Sequence, residues 1–239
     1  MSHFRKRSQH RSTKHKSCKV NYSDLVIYSN NCDGVNKKTE SLKAELKRTK
    51  STVFTLQETH LSSKGKLQIN EMHIFEAIRK KEHGLMIGVH VSHHPILISE
   101  YSDTFEMLVV EIKASEKSIR VINGYGPQEN LHVKDRMPFF STLEEEVVSA
   151  LRSNKSIIIQ MDANSKLGKE LVPEDIHEQS ANGAALAGII SRNALIVVNS
   201  LGQKVKGSIT RKRVTVDGVE ERGAVYFTLG DIHPRGYPP

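Results

Sequence analysis

The sequence predicts an α/β domain in which β-sheets are covered by helices. Apolar runs of strand length alternate with longer amphipathic blocks, and several strands follow one another with only short turns between them. This mixture of hairpin and crossover connections is typical of sheets that pack against helices. No internal repeat, Pro-rich linker or change of composition after residue 20 indicates a second domain, and 239 residues are enough for one large domain. We therefore expect a single domain over residues 21–239.

Strands are predicted where short apolar runs, rich in Val and Ile, are bounded by turn residues. These runs are DLVIYS (24–29), TVFTLQE (52–58), GLMIGVHV (84–91), PILIS (95–99), FEMLVVEIKA (105–114), SIRVINGYG (118–126), SIIIQMD (156–162) and LIVVN (195–199). Near the end of the chain, residues 208–231 read as a basic strand, a turn and a second strand.

Helices are predicted for three blocks that separate these strands. The first, NKKTESLKAELKRTK (36–50), places Leu42 and Leu46 four residues apart, on one face of a helix. The others are KDRMPFFSTLEEEVVSALRSN (134–154) and NGAALAGIISRN (182–193). The second and third blocks flank the apolar strand at 156–162, which predicts a helix-covered sheet.

The net charge of +8 is concentrated in the first twenty residues. They hold seven of the 35 Lys and Arg residues and no acid, so 28 basic residues remain against 27 acidic ones in the rest of the chain. We expect residues 1–20 to be a disordered basic tail. Electrostatic binding to nucleic acid, a nuclear address, and a solvated leader without a role all remain open for it.

Cysteine content and hydropathy predict an intracellular chain that binds no membrane. No apolar run approaches the roughly 18 residues that a membrane span needs. Two cysteines provide no disulfide framework, and no hydrophobic leader follows Met1. A reducing compartment, nuclear or cytoplasmic, is therefore expected.

Polar side chains that could carry chemistry lie at or just after the ends of four of the predicted strands. They are Asn31 and Asp33 in NCDG, Glu58 in QET, Tyr125 in NGYGPQ, and Asp162 and Asn164 in QMDAN. Taken singly, each is more simply a turn residue, because Asn and Asp favour turns. Taken together, they predict one polar cluster, since strand ends meet in space. His60, directly after QET, is interpreted as a surface residue, or as one that supports the site residues from outside, rather than as a catalytic base.

These four motifs, in this order, resemble those of the endonuclease/exonuclease/phosphatase superfamily, which includes exonuclease III-like abasic-site endonucleases and the endonuclease domains of non-LTR retrotransposons. The family pattern Asn-x-Asp/Asn-Gly, Gln-Glu-Thr, Tyr-x-Pro and Asp-x-Asn is matched by NCDG, QET, YGP and DAN, and the resemblance extends from about Asp24 to Leu229. DANSKLG, NGAALAGIISRNALIVVN and ITRKRVTVDG are most similar to the retrotransposon branch. The resemblance implies a DNase I-like, four-layered α/β sandwich of two mixed β-sheets flanked by helices.

The resemblance also implies a monomeric, Mg²⁺-dependent endonuclease acting on duplex DNA, with Mn²⁺ as a substitute. Glu58 is the expected metal carboxylate, because Mg²⁺ is usually held by one or two carboxylates with waters and substrate phosphate. Asp33 is expected beside it as an outer-sphere or hydrogen-bonding partner.

Phosphodiester hydrolysis also needs a group that orients the attacking water and donors for the phosphate oxygens. Asp162 is the candidate for accepting the proton of the water or orienting it. Asn31 and Asn164 can donate amide N–H groups to the phosphate or to Asp162, and Tyr125 can donate to the scissile phosphate.

One position departs from the family pattern. In the retrotransposon-like relatives, the strand after the ITR segment reads like Ala-Ile-Asp-Phe, and its Asp partners a His from a later Ser-Asp-His motif. Here that strand reads AVYF, so Tyr226 stands in place of the Asp, and Asp231 and His233 do not form the later motif. We therefore expect a domain lacking its final strand or strands, a fragment or decayed copy with impaired activity.

Two alternatives remain open. The first is a catalytically inactive nucleic-acid-binding relic that keeps the fold, which the missing Asp and His favour. The second is a phosphoesterase of the same superfamily that acts on phosphoinositides or sphingomyelin, which the near-neutral charge beyond residue 20 favours.

Overall fold

The structure is a computed structural model. It describes residues 25–79, 83–114, 117–173 and 177–198, and the backbone of 211–214, 220–223 and 226–230. The basic tail predicted at 1–20, and Asp231 and His233, lie outside the described residues.

In the described part of the chain, the first of two central sheets has four strands. They are β1 (Ile27–Asn31), β2 (Val53–Gln57), β3 (Met72–Ala77) and β4 (Leu85–His90), in the order β1-β2-β4-β3. β1 and β2 are parallel because α1 (Thr39–Thr49) crosses over between them, whereas β4 is antiparallel to both of its neighbours. The sheet is therefore mixed.

Six strands of the described residues form the second sheet. They are β5 (Ile96–Tyr101), β6 (Glu106–Ala114), β7 (Lys117–Tyr125), β8 (Ser156–Asp162), β9 (Ile196–Val197) and β12 (Tyr226–Gly230), in the order β5-β6-β7-β8-β12-β9. β7 and β8 are parallel and are joined through α2 (Val133–Arg152), and β12 is antiparallel to β8. A separate antiparallel pair consists of β10 (Arg211–Val214) and β11 (Glu220–Gly223).

Apolar residues from the two sheets pack face to face. The shared core includes Val53, Leu85, Ile87, Leu108, Val110 and Val121. On β2 the neighbouring side chain, Phe54, points the other way and packs with Leu42 and Leu46 of α1, as the two-residue period of a strand requires.

Helices cover the outer face of the second sheet. Phe139 and Leu143 of α2 and Leu186 of α3 (Ala181–Arg192) pack with Ile122 and Ile159 of the sheet. The layers are thus α1, the first sheet, the second sheet, and α2 with α3. This arrangement confirms the predicted four-layered α/β sandwich. Among the described residues, no helix is both long and apolar enough to cross a membrane.

Most predicted elements occur with small shifts of their ends. The first helix begins at Thr39, after a short 3₁₀ turn at Asn36–Lys38. β3 was not predicted, since the segment MHIFEA mixes His and Glu with its apolar residues. Among the described strands it pairs with β4 alone, so it lies at an edge where the exposed His73 is tolerated, and its Glu76 accepts a hydrogen bond from the backbone N–H of Gly65.

A buried polar bridge joins the two sheets. Gln57 Nε2 donates to Asn123 Oδ1 at 2.6 Å, and Asn123 Nδ2 donates to the carbonyl oxygens of Leu56 and Met86 at 2.9 and 3.0 Å. Gln57 precedes Glu58, and Asn123 lies two residues before Tyr125. The bridge therefore fixes the strand ends that carry two of the predicted site residues relative to each other.

Candidate active site

The predicted site residues meet at one rim of the sandwich. Asn31 ends β1, Glu58 directly follows β2, Tyr125 ends β7 and Asp162 ends β8. Parallel pairing aligns these ends, because Asn31 is opposite Gln57 in the first sheet and Tyr125 is opposite Asp162 in the second.

The amide of Asn31 links the two carboxylates. Its Nδ2 donates to Glu58 Oε1 at 2.7 Å and to Asp162 Oδ2 at 3.1 Å. Its Oδ1 accepts from the backbone N–H of Asp33 at 3.2 Å, which sets the orientation of the amide. One neutral side chain thus holds a carboxylate from each sheet.

Tyr125 donates from its hydroxyl group to Glu58 Oε1 at 3.2 Å. Burial raises the pKa of the phenol well above its usual value; a hydrogen bond with Asn164 lowers this pKa, and the negative charges of Asp162 and Glu58 raise it further. The phenol is therefore a neutral hydrogen-bond donor over the physiological pH range.

Asp162 and Asn164 form a tight turn after β8. The backbone N–H of Asn164 donates to Asp162 Oδ1 at 3.2 Å, and the side-chain Nδ2 of Asn164 donates to the carbonyl of Gly126 at 2.8 Å. A Cβ on Gly126 would lie 2.3 Å from the carbonyl oxygen of Ala163, so only glycine fits there. The amide of Asn164 thus positions the loop after β7, while its backbone orients Asp162.

Asp33 lies at the edge of this group. Its side chain is 80% exposed, and its Oδ1 is 3.9 Å from His60 Nδ1. Its carboxylate thus lies beside this histidine.

Two histidines beside Glu58 were not among the predicted site residues. Ligand atoms of Glu58, His60 and His83 all lie within 4.8 Å of one another. The ring of His83 stacks on Tyr125, with centroids 4.3 Å apart. His60 is exposed, as expected, yet it belongs to the site. No local pattern marks His83, because only the pairing of β2 with β4 brings residue 83 next to residue 60.

The backbone of the rim is strained. Four of the nine non-glycine residues with positive φ among the described residues belong to it, namely Asp33, Glu58, His60 and Asn164, with φ between 41° and 54°. Hydrogen bonds hold this conformation: Thr59 N donates to the Gly84 carbonyl at 3.1 Å, and His60 N donates to the His83 carbonyl at 2.8 Å. Strain of this kind persists where the surrounding structure over-determines the conformation, commonly at functional sites.

The donor set fits a divalent cation. Both hydrogen bonds to Glu58 reach Oε1, so Oε2 accepts none from the described residues. A carboxylate oxygen and imidazole nitrogens are common ligands of divalent cations. Glu58, with His60 and His83, is thus the group that could hold a metal.

The departure from the family pattern lies at the same rim. The antiparallel register of β12 and β8 places the backbone of Tyr226 opposite that of Asp162. Residue 226 is therefore directly adjacent to the strand end that carries the candidate base.

A cavity of about 460 Å³ lies at the other end of the sheets. It is lined by His73, Val91, His94, Pro95, Ile96 and Lys113. None of the rim residues contributes to it, so the convergent polar groups, not the cavity, mark the candidate active site.

No protein-family model and no curated protein matches the chain. Solved structures do match it. The endonuclease domain of TRAS1, a telomere-specific non-LTR retrotransposon, matches with a TM-score of 0.61 and 17% identity, over 86% of this chain and 84% of that one. AP endonuclease LMAP from Leishmania major matches with a TM-score of 0.66 and 12% identity, over 86% and 78%.

A 3'-5' exonuclease, NExo, from Neisseria meningitidis matches with a TM-score of 0.66 and 17% identity, over 85% of this chain and 86% of that one. A variant of the Neisseria protein, described as a 3' phosphatase, was solved bound to a product DNA hairpin and matches with a TM-score of 0.65. Similarity at these identities is similarity of fold. The chain therefore has the fold of the endonuclease/exonuclease/phosphatase superfamily.

Proposed function

We propose that this chain is a metal-dependent DNA endonuclease domain of the retrotransposon type, which cleaves one strand of duplex DNA. The observation that supports this most directly is the Asn31 bridge, because it holds Glu58 and Asp162, 104 residues apart in sequence, on either side of one amide. Two carboxylates with neutral donors between them suit a site that binds a cation and activates water.

The cation, Mg²⁺ or Mn²⁺, neutralises charge on the phosphate and the leaving oxygen when bound. Glu58 would hold it through Oε2, since Asn31 and Tyr125 already bond Oε1. Asp33, which lies beside His60, would be an outer-sphere or hydrogen-bonding partner of this group.

Asp162 is the proposed general base. Its Oδ1 accepts from the backbone of Asn164 and its Oδ2 accepts from Asn31, so both oxygens are oriented before substrate binds. An oriented carboxylate can accept the proton of the attacking water. Asn31 and Tyr125 carry the N–H and O–H groups that could turn to the phosphate oxygens.

The similar structures support the choice of substrate. The TRAS1 domain is named an endonuclease of a retrotransposon, and the Neisseria protein was solved with DNA. The basic residues at 1–20 would add affinity for duplex DNA that falls as salt rises.

The experiment is a nicking assay on supercoiled plasmid with and without divalent cation. Glu58→Gln and Asp162→Asn should each lower the nicking rate at least about a hundredfold, as the loss of one member of a catalytic site does. Glu40→Gln, an exposed carboxylate on α1, is the matched control and should leave the rate unchanged. Nicking that persists in both site variants would contradict the proposal.

A nucleic-acid-binding module without catalysis is the second candidate, and the observation that favours it is Tyr226 in place of the family's Asp. Loss of that carboxylate predicts a slow enzyme, and Tyr226→Asp should raise the nicking rate. Duplex DNA binding without nicking, in both the natural chain and Tyr226→Asp, would identify the binding module instead.

A further inference from the structure

The histidines beside Glu58 change the chemistry of the candidate metal group. His60 and His83 each offer a ring nitrogen within 4.8 Å of the Glu58 ligand atom. Ligand atoms that share one ion at about 2.1 Å lie no more than about 4.2 Å apart. The three donors are therefore close to the spacing that one shared cation requires.

The fold holds these donors in place. β2 and β4 pair antiparallel with Gln57 opposite Leu85, which puts the residues after β2 beside those before β4. The backbone hydrogen bonds Thr59 N to Gly84 O and His60 N to His83 O extend this pairing through the site. The stacking of His83 on Tyr125 then orients its ring.

Nitrogen donors discriminate among cations. Mg²⁺ prefers oxygen ligands and gives up its waters reluctantly, whereas imidazole nitrogen suits first-row transition metals and Zn²⁺. A group with one carboxylate and two imidazoles matches the second class better than the first.

We propose that Glu58, His60 and His83 form a mixed oxygen–nitrogen site that selects a first-row transition cation or Zn²⁺ over Mg²⁺. This inference rests on the proposed function only for the role of the cation in the reaction, because binding can be measured without DNA. His60 and His83 would then be metal ligands in addition to Glu58, the carboxylate expected from the sequence.

The test compares Co²⁺ and Mg²⁺ binding to the metal-free full chain. Co²⁺ is followed by its visible absorption, which reports replacement of oxygen by nitrogen ligands, and Mg²⁺ by calorimetry and by competition against Co²⁺. The variants are His60→Gln, His83→Gln and their combination. His73→Gln is the matched control, since His73 is exposed like His60 and stacks on a ring like His83, but on that of Phe75, away from the rim.

The natural chain should bind Co²⁺ at least about tenfold more tightly than the double variant, the loss expected when even an outer partner of a metal ligand is removed. Mg²⁺ affinity should be equal in the two proteins. The chain has twelve histidines in total, and those common to both proteins cancel in this comparison. His73→Gln should bind Co²⁺ as the natural chain does.

Equal Co²⁺ affinity and an unchanged absorption spectrum in the double variant would overturn the inference, even if nicking still required Glu58. Conversely, histidine-dependent Co²⁺ binding in a chain that never nicks DNA would establish the metal site and contradict the proposed function. Thermal unfolding of each variant shows whether the fold is intact, and Co²⁺ binding that is lost from a well-folded double variant supports the site.

Discussion

Two clusters of polar side chains in this protein differ in the partners that bond their carboxylates. On the outer face of the second sheet, Arg120 bonds Glu111 at 2.6 Å and Glu146 at 2.9 Å, and Lys155 also bonds Glu111. At the rim, Glu58 receives its hydrogen bonds from a neutral amide and a neutral phenol. The first cluster neutralises its own charge, whereas the described partners of Glu58 leave its charge in place.

The pKa of Glu111 shows what the first arrangement does. Burial alone would raise this pKa, but the hydrogen bonds and charges of Lys155 and Arg120 outweigh burial and lower it. Two cations and two carboxylates therefore form a self-sufficient structural network. A buried or half-buried carboxylate without such cations is instead suited to recruiting a charge from outside the chain. This difference separates a cluster that stabilises the fold from one that can act on a ligand.

Breaking the structural cluster should have the largest effect on stability. Arg120→Met leaves Glu111 and Glu146 without their shared cation, and such removal costs about 3–5 kcal/mol of unfolding free energy. Metal binding at the rim should stay unchanged. Urea unfolding measures the loss, and Arg48→Met, which breaks an exposed pair with Glu45, is the control that should leave the unfolding midpoint in place. A similar midpoint in both variants would mean that the Arg120 network is not structural.

Strain at the rim should have the next largest effect. Gly84 has φ +76°, and a Cβ there would lie 2.7 Å from Thr59 Oγ1, whereas Gly65 has φ +78° and no atom within 4 Å of a Cβ. Gly65→Ala should cost about 1–2 kcal/mol from backbone strain alone. Gly84→Ala should cost about 1–3 kcal/mol more from the clash.

Gly84→Ala should also weaken Co²⁺ binding, because residue 83 precedes the displaced backbone. Gly65→Ala should leave that binding unchanged. Equal losses of unfolding free energy in the two variants would show that the loop next to Thr59 yields freely and does not hold the rim.

The smallest effect should come from the phenol at the rim. Because its pKa is raised, the fold favours neutral Tyr125, and this contribution to stability is complete below about pH 10 and lost as pH rises through the folded pKa. Tyr125→Phe removes one hydrogen bond to a carboxylate, worth about 1.5–3 kcal/mol where the acceptor is charged, and should slow nicking by tenfold or more. Ultraviolet titration of phenolate should show one fewer tyrosine titrating late in the variant. The raised pKa of Tyr125 would be contradicted if the tyrosine missing from the variant were one that titrates at the usual phenol pKa.

Several parts of the site could be predicted from local patterns. Short apolar runs marked the strands; Asn31, Tyr125 and Asp162 end their strands and Glu58 directly follows one, so the strand ends located four candidate site residues. β3 could not be predicted in this way, because its exposed edge tolerates His73 within the strand. The Asn164 side-chain amide was expected to donate to the phosphate or to Asp162. It donates instead to the carbonyl of Gly126, and only the backbone N–H of Asn164 donates to Asp162.

The sequence by itself determined the class of fold and the residue types of the site, because periodicity and turn chemistry act over a few neighbouring residues. Only the tertiary structure decided which polar groups share a contact. The register of β2 with β4 brings a ring nitrogen of His83 within 4.8 Å of a Glu58 ligand atom, and the packing of α2 on the second sheet lets Arg120 bond Glu146. A hydrogen bond needs its donor and acceptor within about 3 Å of each other. Strand register and helix packing between distant parts of the chain set such distances, and no local pattern of residues encodes them.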